Sequence, residues 1–281
     1  MQRLSGRKAL VTGASRGIGS AIAERLAAEG ADVVITARTV DRHDHLAGSL
    51  NETLERCRRY GTTVTAVAAD LADPASRARL VPSAMEALGG RVDVLVNNAA
   101  AAIYGPMLEY SAKRARLSIE VNVFAPMELT QAVVPGMVER GEGWVVNVSS
   151  ATARPAPGPP FRTSGVSAKI GFYGASKAAL NRVTNAFAVE LYGKGVRVNT
   201  VEPRAAVMSE GADALVGGTL TDDQIESMEA MVESVLALCD CPPERTGQVF
   251  VSLDLLDELS APVMCLDGRT PYPGGQRPVR A

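Results

Sequence analysis

Short apolar runs alternate along the chain with longer stretches in which apolar residues recur every third or fourth position. Lys8 to Val11, Ala31 to Thr36, Thr63 to Ala68, Val92 to Val96, Gly143 to Val148, Val196 to Val201 and Gln248 to Leu253 are brief, rich in valine and bounded by glycine or polar residues. This pattern predicts seven buried strands. Between the first two, Ile18, Ile22 and Leu26 follow a four-residue spacing and Gly30 stands where a helix would stop, so the connection is a helix. Strand, helix and strand at this spacing imply a parallel sheet with right-handed crossovers. The expected class is α/β: one doubly wound, seven-stranded sheet with helices on both faces. Residues 38 to 49, the proline-rich 153 to 165 and the Pro/Gly-rich 267 to 281 resist regular structure. One domain over residues 1 to 266, followed by a tail over 267 to 281, is the expected organisation.

The 281 residues carry 29 Lys plus Arg against 31 Asp plus Glu, a net charge of −2. Without a basic excess, nucleic acid is not an expected partner. No apolar run approaches the roughly 20 residues that span a bilayer, and the chain enters its first strand without a signal-peptide core. A cytoplasmic protein without a membrane partner is expected. Cys57, Cys239, Cys241 and Cys265 include one C-x-C pair that lacks the second ligand pair of a zinc site, so no metal is expected. His43 and His45 share one polar stretch, which leaves little material for a hydrolase with a histidine base.

Directly after the first strand, Thr12-Gly13-Ala14-Ser15-Arg16-Gly17-Ile18-Gly19 opens the first helix. Glycines let the backbone turn tightly and approach a pyrophosphate, and a helix start offers free N–H groups and partial positive charge. The placement between strand and helix makes this an anion cradle. The second strand ends Thr36-Ala37-Arg38, with a basic residue where an acid would select NAD. Arg38 and Arg16 can flank one phosphate, so the cofactor leans to NADP(H), with NAD(H) still open.

Tyr173 and Lys177 are four residues apart on a predicted helix and share a face. A free tyrosine titrates near pH 10, too high for a base at neutral pH, and a nearby cation favours the phenolate. Ser150, at the end of the fifth strand, can hydrogen-bond a substrate oxygen. Together with Asp70-Leu71 after the third strand, Asn97-Asn98-Ala99 after the fourth, and Asn122, these motifs stand in the order and nearly the spacing of the classical short-chain dehydrogenases/reductases, which the chain resembles over residues 7 to about 255. The resemblance implies a Rossmann fold, Tyr173 as proton donor or acceptor, Ser150 polarising a carbonyl, and Lys177 holding the nicotinamide ribose while tuning Tyr173. It also implies a dinucleotide lined by Gly13, Ser15, Arg16, Gly17, Ile18, Gly19, Arg38, Asp70, Leu71, Asn98, Ala99 and Pro203. Asn122 would hold a relay water on its main-chain carbonyl. In a helix that carbonyl would bond to the N–H of residue 126, which is Pro126 and has none; a simple proline kink predicts the same bare carbonyl.

The chain departs from the family pattern at Ala100 and Arg204, where glycines are usual, and at Met208, where a threonine is usual. Ser150 and Tyr173 are also separated by an unusually long, proline-rich insert. The expected activity is NADP(H)-dependent interconversion of a carbonyl and an alcohol on a hydrophobic small molecule. A rival reading is an NADP(H)-binding sensor or scaffold without turnover, against which intact Ser150, Tyr173 and Lys177 argue. Ile103, Tyr104, Phe161, Phe172, Val207 and Met208 are the expected apolar pocket walls. Arg154, Arg162 and Arg204 either face an anionic substrate group or point to solvent. The insert is expected to wall the pocket. A homotetramer, or failing that a dimer, is expected through helices around 112 to 140 and 173 to 192 and the last strand.

Overall fold

The structure is a computed structural model describing residues 2–41, 47–161, 165–212, 220–221 and 224–279. His43, His45 and Arg162 lie outside the described residues. Strands β1 (Lys8–Thr12), β2 (Asp32–Ala37), β3 (Val64–Ala68), β4 (Val94–Asn97), β5 (Gly143–Val148) and β6 (Val196–Glu202) are followed by two short ones, β7 (Ala206–Val207) and β8 (Ile225–Glu226), and by β9 (Val249–Val251). The main sheet has seven parallel strands in the order β3-β2-β1-β4-β5-β6-β9. β7 and β8 pair separately.

Because this sheet is covered on both faces, its strands alternate between two cores rather than between core and water. Ala9, Val11, Val33, Ile35, Val94 and Val96 enter one core, with helices α1 (Gly17–Ala28), α2 (Leu50–Arg58) and, later in the chain, the helix over Met228–Cys239. Leu10, Val34, Leu95, Val145 and Val198 enter the other, with α3 (Pro74–Ala87), α5 (Ala125–Arg140) and α6 (Gly171–Leu191). Between α3 and α5 lies α4 (Ala112–Ile119); the helix over Met228–Cys239 is α7, and α8 (Ser252–Leu259) closes the series. The fold is thus the doubly wound, single-domain α/β arrangement the apolar pattern predicts.

Two boundaries differ from the sequence expectation. The seventh strand of the sheet stops at Val251, and Leu253 belongs to α8. A short apolar run reads equally as buried strand or buried helix, and here Leu253 and Leu256, one helical turn apart, bury against Ala230 and Val263. The helix expected across 112 to 140 is broken by a π-helical turn over Glu120–Phe124, where the Ala125 N–H donates to the Glu120 carbonyl. Pro126 sits in the first turn of α5. Widening the helix just before a residue that cannot donate relieves the ring clash that a regular α-helix would meet at this point. The segment beyond residue 266 is packed rather than loose: Tyr272 joins the cluster of Leu253 and Leu256, and its N–H donates to the Val263 carbonyl.

Candidate active site

The carboxyl ends of β1, β4, β5 and β6 open on a crevice at the point where strand order reverses, the usual ligand position of a doubly wound sheet. Two adjoining cavities occupy it, of about 370 and about 700 Å³, and Asn98, Ala100 and Gly211 line both.

The smaller cavity is built from the glycine loop. Gly13 has φ +67°, and a Cβ there would stand 2.7 Å from the Ala99 Cα, so only glycine lets the β1 and β4 ends approach this closely. Thr12 and Asn98 knit the same junction: the N–H groups of Asn98 and Ala99 both donate to Thr12 Oγ1 at 3.1 Å, and Asn98 Nδ2 donates to the Thr12 carbonyl. The side-chain nitrogen of Asn98 also takes the space that a Cβ on Gly19 would need. Gly17 and Gly19 form the first turn of α1, whose N-cap Arg16 supplies no side-chain hydrogen bond and whose first turn has no acidic residue. That leaves the N–H groups of the turn suited to an anion. Ser15, Arg16, Arg38, Asp70, Leu71 and Ala99 line the cavity. The Arg16 guanidinium donates to the carbonyls of Ala47 and Gly48 at 2.8 and 3.0 Å, and Arg38 is exposed with no ion pair among the described residues. Asp41 accepts from Asn51, and Asp32 pairs with Lys8 at the far end of β2, so neither acid faces the cavity. An uncapped helix start, close-packed small residues and two guanidinium groups fit a dinucleotide with an additional phosphate.

Ile18, Ser150, Tyr173, Lys177 and Pro203 meet in the larger cavity. α6 carries Tyr173 and Lys177 inward because Tyr173, Ser176, Lys177, Leu180 and Thr184 form its buried stripe. Gly174 has no side chain where the Thr152 carbonyl presses on the helix, which lets the turn after Ser150 pack against Tyr173. Ser150 Oγ accepts from the Thr152 N–H and hydroxyl at 3.3 and 3.0 Å. The Tyr173 ring lies 5.6 Å from that of Tyr104. Burial pushes the Tyr173 hydroxyl above its ordinary value, Tyr104 adds to this, and a hydrogen bond with Ser150 opposes it. Lys177 Nζ donates to the Val148 carbonyl at 2.7 Å and stands 6.0 Å from the centre of the Tyr173 ring. Burial brings the Lys177 ammonium down to about 8.

Asn122 lies behind this wall, fully buried in the π-helical turn. Its side chain accepts from the Ala101 N–H at 2.7 Å and donates to Ser176 Oγ at 2.9 Å, while Ser176 donates to the Tyr173 carbonyl at 2.6 Å. Residue spacing offered no sign of Ser176 beyond its place one turn after Tyr173. Nor did it reveal Arg77, a buried guanidinium that donates to the Leu71 carbonyl and pairs with Glu120 and Glu128, tying the Asp70-Leu71 loop to the π-helical turn.

The departures fall differently from the expectation. Arg204 turns its guanidinium to Asp254, and Arg154 pairs with Glu202 at 2.7 Å, so both cations are matched within the protein. Met208 is half-buried and lines neither cavity. Of the insert, Ala151, Thr152 and Ile170 line the larger cavity, whereas no described residue from 153 to 169 does. Phe161 is exposed, and Phe172 stacks on Tyr110 at 5.0 Å. The prolines therefore run outside the wall, because Arg154 ties the start of the insert to β6 and the Lys169 carbonyl accepts from the Gly105 N–H at its end.

Among the described residues no helix is long and apolar enough to cross a membrane, and no cluster of His, Cys, Asp and Glu could hold a metal ion. The family model for short chain dehydrogenases matches residues 7–213. Oxidoreductase UcpA of Salmonella typhimurium is 32% identical over 275 residues, 97% of each chain. A short chain dehydrogenase from Mycobacterium thermoresistibile superposes with a TM-score of 0.79 at 26% identity, over 92% of this chain and 89% of that one. One from Burkholderia cenocepacia J2315, crystallised in complex with NADP, superposes with a TM-score of 0.73 at 30% identity, over 89% of this chain and 97% of that one. With its strand order, glycine loop and site geometry in place, the chain belongs to the short-chain dehydrogenase/reductase family of oxidoreductases that act on CH–OH groups with NAD(P).

Proposed function

We propose that this enzyme uses NADP(H) to interconvert a carbonyl and an alcohol on an uncharged, hydrophobic small molecule. The observation that carries the reading is the meeting of Ser150, Tyr173 and Lys177 on one wall of a largely apolar cavity that opens into the dinucleotide groove. Arg16 and Arg38 at the far end of that groove support the phosphorylated cofactor, as does the NADP bound to the Burkholderia relative. Arg154, paired with Glu202, lies outside the cavity lining, and Arg204 is paired with Asp254, which supports a neutral substrate. A homo-oligomer in the cytoplasm, a compartment suited to four unpaired cysteines, belongs to the same reading.

When bound, the nicotinamide supplies or accepts the hydride. The Ser150 hydroxyl, which accepts from Thr152 and hydrogen-bonds Tyr173, would turn its proton to the substrate oxygen. Burial keeps the Tyr173 hydroxyl protonated, as a donor to a developing alkoxide must be. Lys177 would hold the nicotinamide ribose and places its Nζ 6.0 Å from the centre of the Tyr173 ring. Asn122, its side chain clamped by Ala101 and Ser176, would hold a relay water on its main-chain carbonyl.

Steady-state turnover with a panel of apolar ketones and aldehydes tests this. NADPH should bind at least about tenfold more tightly than NADH, since one charge-assisted pair contributes about 1.5 to 3 kcal/mol. Tyr173→Phe should abolish turnover while NADPH affinity stays near wild type. Equal affinity for the two cofactors, or an active Tyr173→Phe enzyme, would overturn the corresponding assignment.

A further inference from the structure

The backbone turn after β6 forms part of the larger cavity, where Pro203, Arg204, Ala205, Ala206 and Val207 all line it. Two N–H groups of this turn donate to one carboxylate: Glu226 Oε2 accepts from Arg204 at 2.9 Å and from Ala205 at 3.1 Å. Ser252 Oγ completes the clasp. It donates to Glu226 at 2.8 to 2.9 Å and accepts from the Arg204 N–H at 3.0 Å. Glu226 and Ser252 are 1% and 0% exposed. Burying a carboxylate is unfavourable unless its oxygens are fully engaged, and its hydrogen-bond partners among the described residues lie in the pocket turn and at the start of α8.

Glu226 is itself held on both sides. β8 pairs with β7, with Ala206 opposite Ile225 and Val207 opposite Glu226. From the other direction comes the C-terminal segment. The Ser227 N–H donates to the Gln276 carbonyl at 3.0 Å, Ser227 Oγ to the Gly275 carbonyl at 2.8 Å, and Arg277 Nη1 to the Ile225 carbonyl at 3.0 Å. Gln276 Nε2 donates to Asp257 of α8 at 2.7 Å, so the same few residues also bind the helix that supplies Ser252. Hydrogen bonds thus tie residues 275–277 to Ile225 and Ser227, the chain neighbours of Glu226, and tie Glu226 itself to the cavity wall.

We propose that Glu226 is a positioning residue for the substrate pocket and that residues 275–277 act through it as a strap that fixes the shape of the 203–207 wall. Its link to turnover rests on the carbonyl-reducing reading above; the clasp itself does not. The oxygen of a glutamine can accept from both N–H groups while its amide nitrogen faces Ser252, so Glu226→Gln keeps the geometry, whereas Glu226→Ala leaves both donors without a partner.

Amide hydrogen exchange, melting temperature and steady-state kinetics are compared for wild type, Glu226→Ala, Glu226→Gln, Ser252→Ala and a chain ending at Pro273. In Glu226→Ala, exchange across 203–207 and the substrate KM should both rise about tenfold, the loss of roughly one or two net hydrogen bonds, with kcat changed far less. Glu226→Gln should restore both to near wild type. The shortened chain and Ser252→Ala should move the same two readouts in the same direction by less. Unchanged exchange and KM in a folded Glu226→Ala, or a fall in melting temperature alone, would overturn the proposal. If Glu226→Ala does not fold, wild-type exchange and KM in both Ser252→Ala and the shortened chain would overturn it instead. Should wild type reduce no carbonyl at all, the functional reading fails, and the exchange data still decide the clasp.

Discussion

Lys177 is a cation with almost no exposed surface, and its one hydrogen bond among the described residues goes to a main-chain carbonyl. Tyr173 is displaced in the opposite sense, because burial disfavours its ionised form. Both shifts keep the site poised with a neutral hydroxyl beside an amine that releases its proton easily. For Lys177, burial lowers the value from 10.5 to about 8, so the folded protein holds this proton less tightly than the unfolded chain. Below pH 8 the buried charge subtracts stability. Between pH 8 and 10.5 the folded amine is neutral while the unfolded one is still charged, and stability is regained as pH rises. Other titrating groups are shared with Lys177→Met, so the wild-type melting temperature should climb relative to this variant across that window. A difference between the two that stays constant with pH would show that Lys177 is not destabilised by burial.

At the scale of elements, an ion pair joins the turn that follows Ser150 to β6. Glu202 ends β6 nearly unexposed, Arg154 reaches it from the start of the insert, and the second Glu202 oxygen has no partner among the described residues. Burial raises the Glu202 carboxyl while Arg154 opposes the shift. Arg154→Ala would strand a buried carboxylate, a loss of about 1 to 3 kcal/mol, whereas the charge-free double variant Arg154→Ala with Glu202→Gln should recover part of it. Thermal or urea melts of the two variants check this, and equal stability would mean the pair contributes nothing. A similar dependence holds for α4 and α5, whose π-helical junction places Asn122 between Ala101 and Ser176. A regular helix through residue 126 would present that side chain from a different angle.

For the whole molecule, the question is what covers its apolar exposed residues. Leu117 and Phe124 along the α4 to α5 stretch, Val189 near the end of α6 with Tyr192 just beyond it, and Val249 on the sheet's terminal strand are all exposed. They fall on the three elements through which self-association is proposed. An uncovered edge strand and apolar helix faces favour pairing across two-fold axes. Light scattering should give four times the 29.4 kDa protomer mass, or twice that mass if only one face pairs. Val189→Glu with Tyr192→Ser should lower the mass while the far-ultraviolet circular dichroism stays unchanged. A monomer mass at every concentration contradicts the proposal.

The sequence by itself determined what depends on local order. Valine-rich runs and four-residue apolar spacing marked the sheet and its helices, because a strand buried on both faces and an amphipathic helix each impose a period on nearby residues. The glycine loop was legible because it had to follow a strand and open a helix, and Tyr173 and Lys177 because they lie one turn apart. Only the tertiary structure decided which distant groups meet. Arg154 and Arg204 read as facing either an anionic substrate group or solvent, whereas in the fold they pair with Glu202 and Asp254, 48 and 50 positions further on. Glu226 carried no signal, since the N–H groups it accepts from lie 22 and 21 positions earlier and Ser252 lies 26 later. The strand reading of Leu253 and the single helix expected around 112 to 140 were likewise overturned by packing and by Pro126. Periodicity reports how a segment divides its faces between core and water, but it does not report which partner a buried charge has found.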